Sequence, residues 1–171
     1  GITRDAGGTF VRHELRHYVH KRVHGVLVAA CLNPIASVLA VLVRFDDVPG
    51  APILRLQLLT LAPSQRGWLP LKISLPTTTA LPVRLAIGPH IDVPSTDYAF
   101  ILADNALRIF SLGTGVQVRC IKPLGEDLTT PLSALAVGPD GRTVAVGTSA
   151  AVPEHKSAGF WVYRLGMPQE G

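Results

Sequence analysis

The chain has 171 residues, 47% hydrophobic and 16% charged, too apolar and too sparsely charged for a solvated disordered segment, so it must bury a core. Sixteen glycines and fourteen prolines, with no three-residue period and no tract of either, exclude collagen and low-complexity linkers and predict many turns. The formal charge is +4, and five cations against two carboxylates in residues 1–24 hold +3 of it, which argues against a chain-wide electrostatic surface for nucleic acid.

The first unit, residues 1–24, is a basic, His-rich segment. It opens Gly-Ile-Thr-Arg-Asp, with neither an initiator Met nor the cation-then-apolar layout of a signal peptide. The expectation is a piece cut from a longer protein or a missing true start, so targeting signals cannot be read. His13-Glu14-Leu15-Arg16-His17 matches HExxH, in which two His one helical turn apart bind zinc and the Glu activates water. His20 and His24 extend the same helical face. Four His within twelve residues produce such a spacing by composition alone, and a zincin also needs a third ligand. Glu126, Glu154 and Glu170 fall in inferred loops or the tail, and the longer zincin pattern would put His20 on a glycine position and Val23 on a ligand position. The expectation is therefore no catalytic residue, no metal site and no cofactor. Val11, Leu15, Val19 and Val23 recur every four residues, which predicts a short N-terminal helix or an edge strand.

Residues 25–75 contain an uncharged run, Val26 to Val43, that a hydropathy window would flag as a membrane span. Asn33-Pro34 sits near its middle, where proline removes a backbone donor and Asn-Pro starts a turn. The run is read as two buried strands, Gly25 to Leu32 and Val38 to Phe45, followed by Ile53 to Leu61 and an outer strand Trp68 to Ser74. Cys31 and Cys120 lie in apolar stretches and are expected to be small buried hydrophobes in a reducing, intracellular compartment, cytoplasmic or nuclear. Trp68 and Trp161 are expected in the core or between sheets.

Two further units repeat one another. Leu85 to Pro89 (LAIGP) and Leu135 to Pro139 (LAVGP) lie 50 residues apart, and Ala106 to Gly113 aligns with Gly159 to Gly166 at an offset of 53. Two matching segments in the same order indicate two copies of one supersecondary unit. Residues 81–122 are expected to form strands Val83 to Ile87, Tyr98 to Ala103, Leu107 to Leu112 and Val116 to Ile121. Residues 130–166 are expected to form strands Leu132 to Val137, Arg142 to Thr148 and Gly159 to Leu165, the first two joined by a Gly138-Pro139-Asp140-Gly141 turn.

Ala103-Asp-Asn-Ala-Leu-Arg-Ile-Phe-Ser-Leu-Gly-Thr-Gly115 resembles the end of a WD repeat, and Leu135 to Gly147 resembles that family's first two strands and their Pro-Asp-Gly turn. Phe110-Ser111 and Tyr163-Arg164 stand where the family has Trp-Asp, and no Gly-His pair opens a unit. The family's Asp-His-Ser/Thr-Trp network is accordingly expected to be absent, with Asp104 filling at most the turn position.

The resemblance implies an all-β fold: a partial β-propeller of four-stranded antiparallel blades, completed by sequence outside the three units. It implies a non-catalytic scaffold that binds protein partners through loops such as Gly88 to Asp97 and Ser149 to Ser157. No small-molecule substrate is expected, and neither nucleic acid nor membrane is the expected partner. The rival readings are a zinc metallopeptidase using His13, Glu14 and His17, and a protein anchored through Val26 to Val43.

Overall fold

The computed structural model describes residues 2–4, 10–12, 20–33, 37–64, 66–71, 73–77, 81–88, 98–127, 129–148 and 159–166. Within them the fold is all-β. A short hairpin joins β1 (Ile2–Arg4) to β2 (Phe10–Arg12), and three antiparallel sheets follow in chain order.

The first sheet begins with β3 (Val26–Leu32) and β4 (Val38–Phe45), so the uncharged run is two strands and not one helix. Asn33 reverses the chain between them. Its Oδ1 accepts the amides of Ser37 at 2.8 Å and Val38 at 2.9 Å, and its own amide donates to the Val38 carbonyl at 3.1 Å. A buried Asn thus satisfies the backbone that the turn would otherwise orphan. Gly25 enters this sheet at φ +88°, and a Cβ there would lie 2.6 Å from the Arg44 carbonyl oxygen, so the approach of β3 to β4 requires glycine. Among the described residues no helix is long and apolar enough to cross a membrane.

β5 (Ile53–Thr60) pairs with β4 along its whole length. The single outer strand expected from Trp68 to Ser74 is instead two, β6 (Gly67–Trp68) and β7 (Ile73–Pro76), both on β5. Pro70 lies between them and has no amide to donate, which interrupts the ladder.

The second sheet runs β8 (Arg84–Ile87), β9 (Tyr98–Ala103), β10 (Ala106–Ser111) and β11 (Gln117–Ile121). The third runs β12 (Ala134–Val137), β13 (Thr143–Thr148) and β14 (Gly159–Arg164). The two repeated segments occupy equivalent places: Leu85 to Gly88 and Leu135 to Gly138 form the end of the first strand and the bond that closes it. Gly88 N donates to Tyr98 O at 3.0 Å, and Gly138 N donates to Thr143 O at 2.7 Å. The third sheet has three strands among the described residues, one fewer than the four expected of each blade.

The first strands β3, β8 and β12 neighbour one another in that order, and the sheets stack face to face. One core layer lies between the first and second sheets, with Leu42, Leu54, Leu56 and Ile73 packed near Ala99 and Ile101. A second lies between the second and third, with Phe100, Leu102, Leu107 and Ile109 against Val144 and Val146. The inner strands β9 and β10 are thus buried on both faces, which is why β9 reads as the apolar run Tyr-Ala-Phe-Ile-Leu-Ala and lacks the alternation of a half-solvated strand. Full burial of each such Leu, Ile or Phe stabilises by roughly 1.5–3 kcal/mol.

Polar side chains join the sheets. Asp104 and Asn105 form the β9–β10 turn at φ 52° and 57°, conformations that Asn and Asp tolerate better than other side chains. Asn105 is 2% exposed, donates to the carbonyls of Asp127 at 3.0 Å and Thr130 at 2.6 Å, and accepts the Leu132 amide. Buried Thr77, at the end of the first sheet, donates to Asp104 Oδ1 at 3.2 Å. Asp104 does fill the turn, as expected, while its neighbour supplies the buried anchor.

Candidate functional site

β5 carries the sequence Ile-Leu-Arg-Leu-Gln-Leu-Leu-Thr, and successive side chains point to opposite faces. Leu54, Leu56 and Leu58 enter the core against the second sheet. Arg55 and Gln57 therefore stand on the other face, opposite Val43 and Val41 of β4. There the segment before β3 and the chain around β6 border a groove of about 300 Å³, lined by Arg22, Val23, His24, Phe45, Arg55, Gln57, Trp68, Leu69 and Leu71.

The groove combines two guanidiniums, an imidazole, a carboxamide and two aromatic rings, with no carboxylate among the described residues that line it. The Arg55 guanidinium lies 4.9 Å from the centroid of the Phe45 ring. Stacking uses the face of the guanidinium and leaves its in-plane N–H donors for another acceptor. Ser74 Oγ accepts from Arg55 Nε at 3.5 Å, the outer limit of such a bond. Ion pairs among the described residues lie elsewhere, at Arg44–Asp46 and Lys122–Glu126, and neither Arg22 nor Arg55 takes part in one. Such a surface can hold an anionic oxygen next to an apolar or planar group.

The sequence-expected sites fare differently. His13, Glu14 and His17, and the inferred loops from residue 89 to 97 and from 149 to 157, lie outside the described residues. His20 and His24 are exposed in irregular chain, so no helical face runs through them. Among the described residues no group of three or more His, Cys, Asp and Glu is placed to hold a metal ion.

Trp161 packs in the second core layer, as expected. Trp68 is 41% exposed and lines the groove, which corrects the expectation of a core residue. Its place on the short outer strand β6, on the face away from the second sheet, leaves it partly in solvent.

Cys31 is half-buried, and burial pushes its thiol up to about 11. Cys120 is exposed, because β11 is the outer edge strand of the second sheet. That corrects the expectation that both thiols are buried.

The groove itself escaped the reading of the sequence. The one local signal was the pair of polar residues set two apart within the leucines of β5. The sequence matches no protein-family model and no curated protein.

Proposed function

We propose that residues 25–166 are successive blades of a WD-like propeller and act as a non-catalytic scaffold that binds a protein partner, with the groove on the first sheet as one contact surface. The observation that carries the blade reading is the succession β3, β8, β12: the first strands of three antiparallel sheets lie side by side in chain order while the sheets pack face to face. Sheets with this arrangement form a rigid support on which exposed side chains and loops keep fixed positions.

The partner is an acidic segment with an apolar or aromatic anchor. Arg22 and Arg55 supply cations that no carboxylate among the described lining residues neutralises, and Trp68, Phe45, Leu69 and Leu71 supply apolar walls. The partner's carboxylate would take the in-plane donors of Arg55, and its apolar residue would sit against Trp68. Attraction of this kind weakens with added salt.

The test uses Trp68 fluorescence in a Trp161→Phe background, titrated with a short peptide alternating Glu with Leu and Phe. The expected result is saturable binding that weakens at least about fivefold with Arg55→Ala, a loss of about 1 kcal/mol, and weakens with salt. Equal binding of the same peptide with Lys in place of Glu, or no binding, overturns the proposal.

A further inference from the structure

The outer face of the first sheet is already covered within the chain, and the groove is the opening that this cover leaves. Val41 and Val43 of β4 and Leu59 of β5 stand on that face, outside both core layers, yet they are 5%, 0% and 1% exposed. The segment before β3 passes so close that a Cβ on Gly25 would lie 2.9 Å from Val43 Cγ1. The opening beside it measures about 300 Å³, the lower end of the range for small-molecule sites. It admits one side chain of a partner and not a stretch of them.

Four polar side chains border that space with donors to spare. Among the described residues the side chains of Arg22, His24 and Gln57 take no hydrogen bond or ion pair. Arg55 stacks on Phe45 through the face of its guanidinium and touches Ser74 only through Nε, so its terminal donors are unspent. Two guanidiniums bring two positive charges to a space for one side chain, and a single carboxylate would leave half of that charge unmatched. A phosphate monoester carries about −1.5 to −2 at pH 7 and offers three strong acceptor oxygens. Arginine forks bind such oxygens in pairs, and the Gln57 amide and an imidazole N–H of His24 add further donors.

The walls indicate what carries the phosphate. Trp68, Leu69 and Leu71 give the groove an apolar side, against which a planar ring buries its face. Phosphotyrosine has both parts on one residue. Phosphoserine would leave that apolar side in water.

We infer that the groove is a phosphotyrosine pocket, in which Arg22 and Arg55 hold the phosphate of a partner segment and Trp68 holds its ring. This rests on the reading of the groove as a contact surface for an acidic segment, and it puts the acid and the anchor on a single residue.

The test titrates Trp68 fluorescence, in the Trp161→Phe background, with the same peptide of Glu, Leu and Phe carrying phosphotyrosine, tyrosine or phosphoserine at its centre. The phosphotyrosine peptide is expected to bind at least about tenfold tighter than the other two. Arg22→Ala and Arg55→Ala are each expected to remove most of that gain. Arg22 is exposed in irregular chain, so its replacement leaves the sheet intact, which circular dichroism checks. Phenyl phosphate is expected to displace the peptide at concentrations where inorganic phosphate does not. Equal affinity for the phosphotyrosine and tyrosine peptides overturns the inference and leaves the acidic-segment reading standing, whereas binding of none of the three overturns both. Phosphoserine that binds as tightly as phosphotyrosine, inorganic phosphate that competes as well as phenyl phosphate, or a gain that survives both substitutions overturns the inference as well.

Discussion

Asn105 Oδ1 accepts the backbone amide of Leu132 at 2.9 Å, so a side chain in the β9–β10 turn holds the chain that leads into the third sheet. Its Nδ2 ties down the carbonyls of Asp127 and Thr130 in the same connection. Removing it leaves a buried donor unsatisfied and places a residue other than Asn or Gly at positive φ. Asn105→Ala is expected to lower the unfolding free energy by about 3 kcal/mol. Asn105→Gly keeps the turn and loses only the hydrogen bonds, so it should cost less. Urea denaturation of both variants measures the difference, and a cost below ~0.5 kcal/mol for Asn105→Ala would contradict the anchoring role.

The equivalent positions 107 and 160 make a matched pair for stability. Leu107→Ala opens a cavity in the layer between the second and third sheets and should cost about 3 kcal/mol. Phe160→Ala, at an exposed position, should change stability by less than ~0.5 kcal/mol. The same denaturation experiment reads both, and equal losses would mean that the two residues share an environment.

The two thiols should react at very different rates. Burial raises the Cys31 thiol to about 11, so almost none of it is thiolate at mildly alkaline pH, while Cys120 is exposed on an edge strand. An aromatic disulfide reagent added to the native chain should modify one thiol quickly. Cys120→Ser should abolish that fast phase, and denaturant should release the slow one.

Asp140 caps the turn between β12 and β13. Its carboxylate is held below the usual range by the backbone amides of Arg142 and Thr143, with the Thr143 hydroxyl and the Arg164 charge adding to them. Asp127 is lowered in the same way by the hydroxyl and amide of Thr129. A carboxyl that is more acidic in the folded chain stabilises it above the unfolded value of about 3.9, and this contribution disappears as pH falls through the folded value. Thermal midpoints should therefore fall on the acid side of pH ~4. Asp140→Asn should lower the midpoint at neutral pH and converge with the unaltered chain in acid; a constant gap across the whole range would contradict the assignment.

Much of the scaffold is legible in the sequence. The strands Val38–Phe45 and Tyr98–Ala103 fall where the apolar runs predicted them, because a run of strand length bounded by turn residues leaves the backbone few alternatives. Asn33 broke the apparent membrane span for a local reason, its side chain bonding the amides just beyond it. The split of the outer strand into β6 and β7 was harder to see, since Pro70 interrupts pairing only because β5 lies alongside. Neither the exposure of Cys120 nor that of Trp68 has a local signature. An apolar residue on an edge strand, or on the uncovered face of an outer sheet, reads like one in the core.

By itself the order of residues determined the all-β class, the turns and the repeat, because periodicity, proline, glycine and asparagine act within a few bonds of where they stand. Only the tertiary structure decided which faces those strands bury. Leu107 and Phe160 occupy the same step of the same repeat, and the difference between them is whether another sheet lies on top. The groove has the same origin: Arg22, Phe45, Arg55 and Trp68 are distant along the chain and meet only where the first sheet and the segment leading into it come together.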